Sequence, residues 1–178
     1  MKFLSWNIRS LGGPDWKCKR GRIRQELAHG LTNGPLDFIC LQEHRLKEAQ
    51  ILNYGNLLAG DWEAFWAVGY GPSGNLGGVS IFIRGNWRPF ITKKEIIIDG
   101  RAQLVVLEKE NVIWGLVNIY APNQASNRAI FWDTVAEKLP DCVTNWIVCG
   151  DFNMLEQPSD RVGGSNSTIH GRELAAWE

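Results

Sequence analysis

A series of short runs rich in β-branched and aromatic residues sets the strongest limit on how this chain can fold. They are Phe3 to Ile8, Leu36 to Leu41, Val79 to Ile83, Leu104 to Leu107, Val112 to Tyr120 and Trp146 to Cys149. Their length and alternation read as β-strands. Between them, Arg20 to Leu31 places Ile23, Leu27 and Leu31 on one helical face. Asn127 to Leu139 does the same with Phe131, Val135 and Leu139, behind a Ser126 cap. Early strand, helix, strand, helix gives way to a strand-rich middle from Glu63 to Tyr120, with glycine-rich turns at Gly69 to Gly78 and a turn at Lys109 to Asn111. That order predicts a mixed α/β or α+β layered fold, sheets packed together and helices outside. Pro158 to Thr168 reads as a long loop before a last short helix, Arg172 to Trp177. No repeat, low-complexity tract or linker interrupts the chain, so one domain over residues 1–178 is expected.

Composition narrows the class. With 178 residues, 44% hydrophobic and 21% charged, the chain can bury a sizeable core and is not of the disordered type. No run approaches the roughly 18 apolar residues of a membrane helix, and the start lacks a signal peptide's apolar region, so an intracellular product is expected. The formal net charge is zero, which excludes nucleic-acid binding by bulk charge alone. The densest basic stretch, Lys17 to Arg24, reads as the solvated start of a helix or as a local phosphate contact. Cys18, Cys40, Cys142 and Cys149 form no CxxC pair, and Cys40 and Cys149 sit in apolar runs where a buried reduced thiol is expected.

Four strands carry a polar group where the apolar run stops: Trp6-Asn7, Gln42-Glu43, Asn118-Ile-Tyr-Ala-Pro-Asn123 and Gly150-Asp-Phe-Asn153. One such ending is explained by a turn or cap, because Asn and Asp bond nearby backbone readily. Repeated at several strand ends, the same groups would converge on one cleft, since ligand sites of layered α/β folds lie beyond the strand ends. Carboxylate and amide oxygens are hard ligands suited to Mg²⁺ or Mn²⁺, and Mg²⁺ takes only one or two protein carboxylates, so Glu43 is the candidate metal ligand. If the extended path continues, Asp151 and Asn153 face the same side, offering a base or acid beside a neutral donor; Tyr120 adds a phenol. A phosphoryl centre needs that combination. Gly71 to Gly78 lacks the Lys-Ser/Thr of a P-loop and opens a strand, so it reads as a plain loop. Asn33-Gly34-Pro35 is turn punctuation, and His29 and His170 stand alone as surface or core residues.

Ser5-Trp-Asn-Ile-Arg-Ser-Leu-Gly12, Cys40-Leu-Gln-Glu-His-Arg-Leu46, Asn118-Ile-Tyr-Ala-Pro-Asn123 and Cys149-Gly-Asp-Phe-Asn153 resemble, in order, successive motifs of the endonuclease/exonuclease/phosphatase superfamily. The resemblance is to the endonuclease domain of non-LTR (LINE-type) retrotransposons. Gly77-Gly78 before a strand, Phe131-Trp132 and Ser159-Asp-Arg-Val-Gly-Gly164 are similar too. It implies a four-layer α-β-β-α sandwich and Mg²⁺- or Mn²⁺-dependent hydrolysis of phosphodiester bonds in DNA. By the same resemblance Glu43 matches the metal-ligand glutamate and Asn7 the amide beside the metal and the substrate phosphate. Tyr120 matches the tyrosine that supports the transition state, and Asn123 an asparagine near the DNA backbone. Asp151 matches the aspartate of proton transfer, and Asn153 the residue orienting water or a phosphate oxygen.

The family pattern continues past such a last helix with further strands, an Asp that partners a catalytic histidine, and a closing Ser-Asp-His, none of which is in this sequence. His170, in a polar loop with no Ser-Asp before it, is not that histidine. The expectation is therefore a domain incomplete at its C-terminus, with weak or no turnover alone, and with sheet edges and apolar surface uncovered, worsened by nine tryptophans. The resemblance implies a downstream reverse transcriptase in the parent element and a nuclear location. Two other readings share the residues: a small-molecule or lipid phosphoesterase of the same superfamily, and a non-catalytic nucleic-acid-binding or interaction remnant.

Overall fold

The structure, a computed structural model, describes residues 1–12, 15–29, 35–54, 61–70, 77–154 and 175–177. In chain order the elements are β1 (Phe3–Asn7), α1 (Trp16–His29), β2 (Phe38–Gln42), α2 (Glu48–Tyr54), β3 (Trp62–Ala67), β4 (Val79–Arg84), a 3₁₀ helix (Gly85–Phe90), β5 (Ile91–Ile98), β6 (Ala102–Lys109), β7 (Val112–Tyr120), α3 (Ala125–Ala136) and β8 (Asn145–Asp151). The chain divides into two compact units. The first, Met1–Tyr120 with Asp141–Asp151, holds every strand together with α1 and α2; the second, Ala121–Pro140 with Phe152–Glu178, holds α3.

The strands form two four-stranded mixed sheets, ordered β1-β2-β4-β3 and β5-β6-β7-β8. The fold is α+β, as expected. β1 and β2 are parallel with Asn7 opposite Gln42, and β7 and β8 are parallel with Tyr120 opposite Asp151. Parallel pairs in even register bring their carboxyl ends to one edge, so each sheet presents two adjacent strand ends.

Apolar side chains account for the layering. Phe38, Cys40, Ile81 and Ile83 of the first sheet pack against Val105, Leu107 and Leu116 of the second. Alternate residues of the first sheet, Ile39, Leu41 and Phe82, point the other way and cluster with Ile23 of α1 and Ile51 and Tyr54 of α2. β2 is consequently buried at every residue. Each such side chain contributes about 1.5 to 3 kcal/mol on leaving water.

Amides cross the same interior. Gln42, 1% exposed, donates from Nε2 to Asn118 Oδ1 at 2.7 Å, and Asn118, fully buried, donates from Nδ2 to the carbonyls of Leu41 and Ser80, both at 3.1 Å. Gln103 of β6 donates to the Phe65 carbonyl of β3 at 3.0 Å. These bonds join one sheet to the other and fix their register at the strand ends, which apolar packing alone does not do.

Several expectations shift. β3 and β5 were not separate runs in the sequence; both lie within the strand-rich middle expected from Glu63 to Tyr120. β5 carries Lys93, Lys94 and Glu95, the charges that keep an exposed edge from pairing with another chain. β8, read as a buried strand, is a half-buried edge strand among the described residues, with Val148 38% exposed. α1 starts at Trp16, ahead of Arg20. Ser126 is not a cap: it lies inside α3, whose N-cap is Gln124 without a side-chain capping bond, and Leu139 falls beyond the helix end. None of the nine tryptophans is exposed. Cations cover several of them: Arg22 lies 5.3 Å from the Trp6 ring, Arg20 5.5 Å from Trp16, Arg84 5.1 Å from Trp62 and Lys109 5.1 Å from Trp87. All four cysteines are free thiols, with Cys40 buried and Cys149 partly so. No helix among the described residues is long and apolar enough to cross a membrane. The segment Pro158 to Thr168, Ser159 to Gly164 and His170 lie outside the described residues; of the expected last helix, residues 175–177 are described and are helical.

His44 is fully buried between backbone groups. Its Nδ1 accepts the Leu46 N–H at 3.1 Å, so the other nitrogen, Nε2, carries the proton and donates to the Ala67 carbonyl at 3.2 Å. Burial lowers its pKa from the ordinary 6.5 to about 4, against the partial opposition of the Ala67 and Val79 carbonyls. The folded value lies below the unfolded one, so the neutral ring stabilises the fold above pH 6.5. That contribution is lost as pH falls toward 4, by roughly 1.4 kcal/mol per pH unit and about 3 kcal/mol in all. Denaturant titrations between pH 7 and 4 are expected to show this slope, and His44→Gln to flatten it. Asn118→Ala, which strands the Gln42 amide and two carbonyls in the core, is expected to cost about 2 to 4 kcal/mol at neutral pH in the same assay. Ser126→Ala is expected to leave the midpoint unchanged.

Candidate active site

The two pairs of parallel strand ends bring four of the expected residues together in the first unit. Asn7, the last residue of β1, donates through Nδ2 to Glu43 Oε1 at 3.1 Å and to Asp151 Oδ2 at 2.6 Å. The other oxygen of Glu43, Oε2, takes the Arg45 guanidinium at 2.6 Å, and Tyr120 also hydrogen-bonds to this carboxylate. Asn7 thus separates two carboxylates, each delivered by a different sheet.

The loops that carry these groups hold backbone in the left-handed region at non-glycine residues: Arg9 at φ 48°, Ser10 at 82°, Glu43 at 56° and Arg45 at 51°. Such conformations cost on the order of 1 kcal/mol or more each and persist where neighbours over-determine them. Ser10 N–H donates to the Glu43 carbonyl at 2.7 Å, Leu11 N–H to His44 at 3.0 Å, His44 N–H to Gly78 at 3.1 Å and Arg45 N–H to Gly77 at 2.9 Å. Gly77 and Gly78, at φ 80° and 90°, make this approach feasible; a Cβ on Gly78 would run into the His44 ring. His44 is therefore a prop for the loop rather than a base.

Charge is distributed unevenly across the cluster. Burial alone would push the Glu43 carboxyl up, but hydrogen bonds from Asn7, Tyr120 and Arg45, with the Arg45 charge, hold it below its ordinary value. The Tyr120 phenol is pushed up by its own burial and by the adjacent Glu43 carboxylate, with Arg101 and Arg45 opposing. At neutral pH Glu43 is an anion and Tyr120 a hydroxyl donor.

Asn123 and Asn153 belong to the second unit. Asn123 is exposed, and its carbonyl accepts a bond from Arg128 at 2.6 Å. Asn153 donates from Nδ2 to the Ala121 carbonyl at 2.8 Å and has φ 50°. The extended path assumed for Asp151-Phe-Asn153 stops at Asp151, because Asn153 turns into the left-handed region, so strand alternation does not determine where Asn153 points.

The donor set suits one kind of ion. Among the described residues, no group of three or more His, Cys, Asp and Glu is gathered around one point. Glu43 and Asp151, hard oxygen donors on either side of Asn7, fit an ion that keeps most of its water and takes one or two carboxylates. Asn7 turns its NH₂ to the carboxylates and its Oδ1 to the Arg9 N–H at 3.0 Å.

Sequence reasoning missed Arg101, and it named Gln42, Asn118 and Arg45 only as parts of strand-end motifs, without a role. Arg45 had a signal, two residues beyond Glu43. Arg101 had none, because only the β6–β7 ladder brings it to Tyr120.

A family model described as "Endonuclease/Exonuclease/phosphatase family" matches residues 4–172. No curated protein matches by sequence. Among solved structures, an AP endonuclease from Leishmania major is similar with a TM-score of 0.70 at 16% identity, over 92% of this chain and 58% of that one. An AP endonuclease from Archaeoglobus fulgidus is similar at 0.66 and 16% identity, over 99% and 68%. Sphingomyelinase C from Streptomyces griseocarneus is similar at 0.63 and 20% identity, over 99% and 69%. At these identities the likeness is one of fold, and the chain spans from somewhat over half to about two thirds of those proteins.

Removal of the Asn7 amide should be visible directly at its neighbours. In Asn7→Ala, followed by the carboxyl ¹³C shift in metal-free buffer, the Glu43 titration is expected to move upward; an unmoved titration would show that Asn7 does not hold this carboxylate.

Proposed function

The chain belongs to the endonuclease/exonuclease/phosphatase family, and from that premise we propose that it is a divalent-metal-dependent phosphodiesterase scaffold acting on DNA, of the LINE-type retrotransposon branch. The observation that carries the reading is Asn7 bonded to both Glu43 and Asp151, with Tyr120 on the same Glu43 carboxylate. This arrangement sets an anionic metal ligand, a second carboxylate and a phenol donor around one point. The likeness of Gly77-Gly78, Phe131-Trp132 and Ser159-Asp-Arg-Val-Gly-Gly164 to that domain supports the retroelement branch, which carries with it a reverse transcriptase in the parent element and a nuclear location.

Glu43, beside Asn7, would hold Mg²⁺ or Mn²⁺. The ion, when bound, supplies charge neutralisation at a phosphoryl oxygen. Asp151 would hold or accept a proton at the attacking or leaving oxygen. The Tyr120 hydroxyl would donate to an equatorial oxygen as charge builds there, and the Asn7 NH₂ keeps both carboxylates in place. On the family pattern Asn153 would orient water or phosphate and Asn123 would meet the DNA backbone, both from the second unit.

Turnover by this chain is expected to be slow. His44 is not available as a base, since both its nitrogens are bonded to backbone.

With supercoiled plasmid and Mg²⁺ or Mn²⁺, slow nicking that disappears in EDTA is expected. Asp151→Asn should lower the rate about 100-fold or more, and Glu43→Ala should abolish the metal-dependent nicking. Nicking unaffected by EDTA or by these substitutions would overturn the reading. The likeness to a sphingomyelinase favours a second, lipid or small-molecule phosphoesterase reading. Inositol phosphates and sphingomyelin vesicles run beside the plasmid separate the two, with hydrolysis of the former alone deciding for the second.

A further inference from the structure

A tyrosine ring turns about a broad, two-fold torsion, so its hydroxyl is aimed only as well as the walls around it allow. Tyr120 closes β7, and its walls are unusual. On one side stands the Gly77 backbone, so close that a Cβ there would lie 3.2 Å and 3.3 Å from ring atoms Cδ1 and Cε1. The Arg101 guanidinium lies over the ring face, its Cζ 4.5 Å from the ring centroid.

Arg101 and Tyr120 are joined in two further ways. Tyr120 N–H donates to the Arg101 carbonyl at 2.7 Å, and Arg101 Nη1 donates back to the Tyr120 carbonyl at 3.3 Å. The turn that carries Arg101, between β5 and β6, is itself anchored. Arg101 N–H donates to Ile98 at 3.0 Å, and the Gly100 carbonyl accepts the Gly78 N–H at 2.9 Å. Gly100, at φ 60°, meets the backbone of Gly69, where a Cβ would not fit. A side chain that only closed a turn would need the carbonyl contact alone; the planar cation over the ring face adds a restraint on ring orientation.

We propose that Arg101 is the positioning residue for Tyr120: stacked on the ring and bonded to its carbonyl, it holds the phenol hydroxyl on the Glu43 side of the site. There the hydroxyl meets Glu43 at rest, and it would face an oxygen of a phosphodiester held at that carboxylate. This rests on the proposed function for its catalytic consequence, but the restraint on the ring does not.

The first readout is therefore independent of turnover. The chain has three tyrosines, so Tyr54→Phe/Tyr70→Phe leaves Tyr120 as the only site for 3-fluorotyrosine. With Arg101 present, the ¹⁹F spectrum is expected to show a ring locked in distinct, slowly exchanging orientations. In Arg101→Gln and Arg101→Met these signals are expected to merge into one averaged line while the melting transition is retained, and Arg101→Lys to restore part of the locking. Unchanged ¹⁹F spectra in the folded Gln or Met variant would overturn the proposal, as would the failure of both to fold.

The second readout is kinetic. Arg101→Gln is expected to lower kcat about tenfold with KM moved less than about twofold, and to cost less than about threefold when Tyr120 is already Phe. Equal losses in both backgrounds would show that Arg101 does not act through Tyr120. A chain without measurable turnover would count against the proposed function, while the ¹⁹F result still decides the role of Arg101.

Discussion

The hydrogen bond from Gln42 to Asn118 is the constraint on which the site depends. Two sheets that meet through aliphatic side chains can slide by fractions of a residue at small cost, because dispersion and burial are non-directional. A buried amide pair cannot, since a shifted register leaves donors and acceptors without partners in a medium that offers no water. Gln42 immediately precedes Glu43, and Asn118 stands two residues before Tyr120. The bond that fixes the sheets therefore fixes the carboxylate against the phenol.

Strain and support are arranged around that bond. Left-handed backbone at Glu43 and Arg45 turns the chain sharply after β2, and glycines at 77 and 78 allow another loop to receive its N–H groups. His44 fills the space beneath as a neutral ring, committed to backbone on both nitrogens. The cluster's polar atoms thus stand on loops tied by backbone hydrogen bonds, the condition under which a few side chains can stabilise developing charge.

Much of this was legible beforehand. Periodicity located β1, β2, β4, β6, β7 and β8, because their residues face a core on at least one side and the apolar pattern records that fact. The edge strand β5 was not separately legible, since residues such as Lys93 and Lys94 respond to the need for a soluble edge and break the pattern, and β3 was covered only by the strand-rich middle as a whole. Tryptophans that looked like exposed apolar surface are shielded, several under arginine or lysine, a pairing between residues often distant in the chain that composition does not reveal.

The site divides the same way. The sequence by itself determined that Asn7, Glu43, Tyr120 and Asp151 stand at strand ends, because a polar residue terminating an apolar run is a local property. Tertiary structure decided what each one touches. Asn7 between two carboxylates, Arg45 on Glu43 and Arg101 over Tyr120 follow from two parallel strand pairs, a strained loop and a hairpin ladder. Asn153, one strand period past Asp151, shows the limit from the other side: a single left-handed residue ends the alternation, and only the fold around it selects that conformation.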